Sequence, residues 1–246
     1  MVAAAKLLRH VGRQRAGQFL AEGPNLVEAA HQKGLVVEVF ATESARTRFE
    51  SLLGRVPINV ITDKAAKALS DTVTPVGLFA VCTLPRTRSI AELADSPRLV
   101  LVAVETSEPG NAGTLIRIAD ATGADGVVLA GDAVDPYNGK CMRASAGSIF
   151  ALPVIRDPDA MGAVSSLRRA GLQVLATTLD GETSLEDVDL AVPTAWMFGS
   201  EAHGLECELA SFADARIRIP MRGSAESLNV AAAAAICMYE SSRALV

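Results

Sequence analysis

The chain has 246 residues, half of them hydrophobic and only 4% aromatic, with a net charge of −5. That length accommodates one large or two ordinary domains with an extensive core, and no apolar run approaches the ~20 residues needed to cross a bilayer. The opening MVAAAKLLRHVGRQR is broken by charges where a signal peptide needs an uninterrupted apolar stretch, so a cytoplasmic protein with no membrane partner is expected. Cys82, Cys141, Cys207 and Cys237 are widely spaced, with no CxxC pair and no histidine at ligand spacing. Reduced, mostly buried thiols and no metal are therefore expected.

Lys6, Arg9, Arg13 and Arg15 fall in the first fifteen residues without an acid among them. Such a basic arm suits phosphate contacts, and equally a solvated helix face. FLAEG then reads as a short extended entry, with a helix starting near Pro24, a residue suited to a first helical turn. Residues 35–41 read as a strand, SARTRFESLLG as a helix ended by Gly54, and INVIT as a strand. DKAAKALSD follows as a helix with Asp63 as N-cap, and GLFAVC closes a compact α/β unit of about 80 residues.

Residues 84–97, LPRTRSIAELADSP, are bracketed by prolines and polar, and read as a linker between domains at 1–83 and 98–246. Charge divides the same way. Residues 1–97 carry 12 basic and 9 acidic side chains, against 11 and 19 in residues 98–246. Beyond the linker, residues 99–105 form an almost purely apolar stretch, as expected of a buried parallel strand. GVVLAG, residues 150–155, QVLATT, TAWMFG and ARIRIP are further strands, separated by helices over 113–123, 138–148, 158–171 and 205–212. This alternation predicts a parallel sheet covered on both faces, with ligand loops at the carboxyl ends of its strands.

Three segments that follow strands carry possible chemistry. In EPGNAGTLIRIADATGAD, Gly110, Asn111 and Gly113 read as a tight turn into a helix. Arg117, one turn further on, is able to face that loop and grip a phosphate bidentately, or to sit on a solvated face. No GxGxxG fingerprint of a nicotinamide-dependent enzyme is present. MFGSEAHGL offers close backbone approach at Gly199 and one carboxylate, Glu201; His203 lacks an orienting partner. IPMRGSAESLNVAAAAAICMYE runs from a strand through a polar loop into a helix apolar on nearly every face. The unpaired N–H groups at that helix start are open to a ligand.

The order N-x-G-x-x-x-R (Asn111, Gly113, Arg117), F-G-S-E-x-x-G (residues 198–204) and I-P-M with S-L-N-V (residues 219–221 and 227–230) resembles the SpoU/TrmH family of RNA ribose 2′-O-methyltransferases, of the SPOUT superfamily. The likeness covers the whole second domain, and RASAG, beginning at Arg143, resembles a segment between the family's motifs. FLAEGPNLVEAA and TPVGLFAV resemble the L30e-like substrate-binding module found before the catalytic domain in part of this family, including the thiostrepton-resistance type of ribosomal RNA methyltransferase.

The resemblance implies an α/β trefoil-knot domain, a rare exception to the rule against knots, preceded by a small L30e-like α/β domain. It implies S-adenosylmethionine as cofactor, held by Gly199, Ile219 and Leu228 with Thr177, Ser200 and Asn229 nearby. The chemistry implied is methyl transfer to a ribose 2′-hydroxyl, with 23S ribosomal RNA as the expected substrate. Arg117 is the implied activator, binding the adjacent phosphate and lowering the hydroxyl's pKa, since arginine itself stays protonated; Asn111, Glu201, Ser227 and Asn229 orient it and the ribose. Lys6, Arg9, Arg13, Arg15 and Arg143 are expected to hold RNA. A homodimer that completes each active site across a two-fold interface is also implied; the nearly all-apolar helix over residues 230–239 suits burial in that seam, or within its own subunit. A transfer RNA ribose methyltransferase, or a non-catalytic RNA-binding ribosome-assembly protein of the same fold, are the alternatives.

Overall fold

The computed structural model describes residues 1–53, 56–93 and 95–245. Two compact units emerge, Met1–Arg86 with Asp135–Phe150, and Thr87–Val134 with Ala151–Val246.

In the first unit, β1 (Gln18–Glu22), β2 (Val36–Ala41), β3 (Ile58–Val60) and β4 (Leu78–Thr83) form one sheet in the order β1-β4-β2-β3. β4 runs antiparallel to both neighbours and β3 parallel to β2. The Pro24–Gln32 helix starts at its proline as expected and turns Leu26, Val27 and Ala30 inward. The helix expected after β2 is two short ones, Glu43–Arg48 and Glu50–Leu53, parted at Phe49; its expected end, Gly54, lies outside the described residues. Asp63 is not the N-cap of the next helix. Thr62 takes that place, its hydroxyl accepting from the Ala65 N–H at 3.2 Å, which leaves Asp63 in the first turn facing the positive dipole end.

Sequence reading places Asp135–Phe150 in the second domain, yet these residues pack with the first unit. Apolar and ionic contacts both account for it. The rings of Tyr137 and Phe150 lie 5.0 and 5.7 Å from that of Phe19 on β1. Arg13 reaches Asp135 at 2.6 Å, while Arg143, on the Gly139–Ser145 helix, pairs with Glu22 at 3.1 Å and Asp71 at 2.7 Å.

The second unit is a seven-stranded sheet with every pairing parallel. Its strands are β5 (Leu99–Val104), β6 (Gly126–Ala130), β7 (Val154–Asp157), β8 (Gln173–Thr177), β9 (Thr183–Ser184), β10 (Thr194–Phe198) and β11 (Ala215–Arg218). Their order is β7-β6-β5-β10-β8-β11-β9. β5, β6 and β10 are buried at every position, which is why they read as uninterrupted apolar runs. The two-residue β9 has no sequence signal of its own.

The helix after β5 spans Pro109–Ala121, four residues earlier than the glycines suggested. Proline at its first position and the Glu108 carboxylate accepting from the Gly110 N–H start it early. The expected Gly110–Asn111–Gly113 turn is thus the helix's own first turn. The last helix, Val230–Ala244, is not enclosed on every side. Ala234, Cys237, Met238 and Ser241 face the Pro109–Ala121 helix and the sheet, whereas Ala232, Ala235, Ile236 and Tyr239 are exposed. Trp196 of β10, fully buried, donates its indole N–H to Ser241 Oγ at 2.7 Å.

Candidate functional site

Because β10 is inserted between β5 and β8, and β11 lies beyond β8, the carboxyl ends of β10, β8 and β11 are consecutive along one edge of the sheet. Their loops enclose a cavity of about 750 Å³. Thr177, Gly199, Ser200, Glu201, Ile219, Ser227, Leu228 and Asn229 all line it, so residues drawn from three distant stretches of sequence meet in one place.

Close backbone approach builds the walls. A Cβ on Gly199 would fall 2.1 Å from the Gly204 carbonyl carbon, so only glycine allows the loop to fold back on itself. Ser200 and Gly204 exchange backbone hydrogen bonds of 3.1 and 2.8 Å, with Gly204 at φ +68°. The loop after β8 lies flat against β11 in the same manner, a Cβ on Gly181 meeting the Ile217 carbonyl carbon at 2.6 Å. Arg218 donates to the Gly181 and Glu182 carbonyls at 2.8 Å each, and Arg216 to the Glu182 carboxylate at 2.9 Å. The hydrogen bond from Arg216 holds the Glu182 carboxyl below its usual range.

Asn229 caps the last helix. Its Oδ1 accepts from the Ala231 N–H at 2.9 Å, and its amide nitrogen donates to Glu201 Oε1, joining two residues expected to orient the substrate. Thr177 donates its hydroxyl to the Met197 carbonyl at 2.9 Å and so ties β8 to β10. The cavity is apolar at Leu205, Ile217, Ile219, Leu228 and Val230, and Glu201 and Glu226 add exposed carboxylates. That lining suits a ligand with a flat apolar part and a cationic part. Leu179, Met221 and Glu226 line it too and were not foreseen. Following QVLATT past its strand end would have found Leu179, which is 73% exposed at the cavity.

Asn111 and Arg117 do not line this cavity. With the helix beginning at Pro109, Arg117 stands about two turns in rather than one. Ala112, Gly113, Leu115 and Ile116 take its inward face and Arg117 points to solvent, with no ion pair among the described residues.

The basic residues divide as well. Lys6, Arg9 and Arg15 are exposed. Arg13 is only 2% exposed, its guanidinium occupied by Asp135 and by the carbonyls of Leu7 and Leu8 at 3.0 and 3.1 Å, and Arg143 is held between Glu22 and Asp71. Both were expected to bind RNA; both are engaged in holding the first unit together.

Residues 98–239 match the SpoU rRNA Methylase family, and residues 3–80 the MRM3-like substrate binding domain. The 23S rRNA (guanosine(2553)-2′-O)-methyltransferase RlmP of Bacillus subtilis (strain 168) is 35% identical over 228 residues, covering 92% of this chain and 89% of that protein. The 23S rRNA (uridine(2479)-2′-O)-methyltransferase of Streptomyces viridochromogenes is 33% identical over 242 residues, covering 94% and 84%. A crystal structure of an RNA 2′-O ribose methyltransferase superposes with a TM-score of 0.87 at 32% identity, covering 99% of this chain and 95% of that one. The SpoU methyltransferase AviRb from Streptomyces viridochromogenes, in complex with the cofactor AdoMet, superposes with a TM-score of 0.83 at 31% identity, covering 98% and 96%.

Proposed function

The chain belongs to the SpoU rRNA methylase family, and from that membership we propose that it transfers a methyl group from S-adenosylmethionine to a ribose 2′-hydroxyl of 23S ribosomal RNA. The observation that carries this reading is the convergence of Thr177, Gly199, Ile219 and Leu228 on one cavity at the ends of β8, β10 and β11. The cavity also fits the cofactor chemically. Its volume lies in the range of small-molecule sites, its apolar wall suits a purine, and its carboxylates suit a sulfonium.

When bound there, S-adenosylmethionine supplies a methyl group activated by positive sulfur. The chain's own residues supply orientation, which is worth much of the barrier in a displacement that must be in line. Glu201, fixed by the Asn229 amide, presents its carboxylate at the cavity mouth. Arg117 serves as a phosphate clamp whose charge favours the ionised 2′-hydroxyl of the same nucleotide.

The exposure of Arg117, away from its own cavity, supports a homodimer in which each Arg117 serves the cavity of a second copy. The outward face of the last helix, with Ala232, Ala235, Ile236 and Tyr239, is apolar enough to form the seam. One chain per particle in light scattering at micromolar concentration would refute the dimer. We also read the path through β11 and the last helix as a trefoil knot, supported by the late insertion of β10 between β5 and β8 and by the packing of the residue 178–182 loop on β11. A crystal structure with an unthreaded C-terminus would sink that reading. The cytoplasm is the proposed compartment, because an exposed free thiol such as Cys207 persists where glutathione keeps it reduced. Cell fractionation tests it.

The decisive experiment incubates the protein with labelled S-adenosylmethionine and 23S ribosomal RNA or transfer RNA from cells lacking it. Label in 23S RNA alone is expected. Label confined to transfer RNA moves the substrate, and cofactor binding without label in either pool makes the protein a non-catalytic RNA binder.

A further inference from the structure

Three hydroxyls among the described residues are enclosed without a hydrogen-bond partner: Thr106, Thr178 and Ser184. Only Thr178 lines the cavity at the ends of β8, β10 and β11. Its backbone is fixed there, because its N–H donates to the Ile217 carbonyl at 3.0 Å and carries the β8–β11 ladder one residue past the strand end. Several other polar groups of the cavity wall are already engaged. Thr177 donates to the Met197 carbonyl, Arg216 pairs with Glu182 and Asp180, and Asn229 holds Glu201.

We propose that Thr178, rather than Thr177, supplies the side-chain hydrogen bond to the nucleoside half of the S-adenosyl group, an inference that rests on the cofactor reading above. An enclosed hydroxyl without a partner is unfavourable, and folds keep few of them. Next to a ligand cavity, such a group has its partner in the ligand. Threonine χ1 has three staggered wells, and a step between them carries the hydroxyl to the place of the methyl or of the hydrogen, so it can be turned toward the cavity. No existing hydrogen bond is broken by that step. The hydroxyl both donates and accepts, so it can serve a ring nitrogen, an exocyclic amine or a ribose hydroxyl. The nucleoside half is assigned because Thr178 is tied to the strand carrying Ile217 and leading to Ile219, the apolar wall suited to a purine. Of the carboxylates lining the cavity, Glu201 stands on the loop after β10 and Glu226 on the loop after β11, while Asp180, on the loop of Thr178 itself, is paired with Arg216.

The test is calorimetric binding of S-adenosylhomocysteine and of 5′-methylthioadenosine, which lacks the amino-acid half, to the full chain and to Thr178→Val and Thr178→Ser. Loss of one neutral hydrogen bond weakens binding about tenfold. Thr178→Val is expected to weaken both ligands equally by that factor, Thr178→Ser by no more than about threefold, and the ligand-free Val variant to melt no lower than wild type. Unchanged affinity in Thr178→Val overturns the proposal. So does a loss confined to S-adenosylhomocysteine, which would put the contact on the amino-acid half, or a lower melting point of the empty variant, which would make the hydroxyl structural. Failure of the wild-type chain to bind either ligand is a separate outcome: it removes the cofactor reading, and this assignment with it.

Discussion

Arg117 is two turns into its helix, pointing to solvent, while the cavity of its own chain lies elsewhere in the same unit and the one it is proposed to serve belongs to a second copy. A residue so placed contributes nothing to the cavity's own integrity. Arg117→Ala is therefore expected to abolish methyl transfer while S-adenosylmethionine binds within about twofold of wild type, a change of under 0.5 kcal/mol. Single-turnover transfer and calorimetry measure the two separately, and a large loss of cofactor binding would move Arg117 onto the wrong ligand. The motif residues that reach the cavity were legible through the order of the family's motifs, since glycine, serine and asparagine at strand ends also serve turns and helix caps. The fates of Arg13 and Arg143 were not. An arginine's stem reaches in any direction, and sequence does not reveal that Asp135 lies beside Arg13, 122 residues away in the chain.

At the scale of elements, the last helix has two faces that its composition conceals. Alanine is equally at home buried or exposed, so VAAAAAICMYE carries almost no amphipathic signal. Only packing shows that Cys237, Met238 and Ser241 are inside. Ser241 is the partner of the Trp196 indole, and both side chains are fully buried. Ser241→Ala strands that N–H and is expected to cost about 1–3 kcal/mol of stability. A urea denaturation midpoint unchanged from wild type would show that the bond contributes nothing. Strands with uniform burial, such as β5 and β6, were by contrast plain in the sequence, and helix starts were displaced by a few residues wherever a proline or a cap acted early, as at Glu108 and Thr62.

For the molecule as a whole, the chain folds as two units whose composition differs, the basic excess lying before residue 98 and the acidic excess after it. Asp135–Phe150 crosses that division, and Asp135 anchors it. Burial pushes the Asp135 carboxyl up, but hydrogen bonds from His10 and Arg13, with the charge of Arg13, outweigh that and bring it below the usual value. A carboxylate whose pKa is lowered on folding contributes stability above its unfolded pKa of about 3.9. That contribution is lost as pH falls through the folded value. The urea midpoint of wild type should thus exceed that of Asp135→Asn at pH 7, with the gap closing in strong acid. A gap that does not change with pH would mean the charge is not what matters.

The strand order also sets a timetable. β5, β6, β7 and β8 all leave the ribosome before β10, yet β10 separates β5 from β8 in the finished sheet, pairing Phe198 with Ala103 and Met197 with Ala176. The halves of the sheet cannot close on each other early, and the pairings that complete it span long stretches of chain, which makes them slow to form. All three loops of the cavity hang from β8, β10 and β11, so ligand binding is expected to be the last property a refolding chain recovers, after most of its secondary structure is in place; binding regained in step with the far-ultraviolet circular dichroism signal would overturn that order.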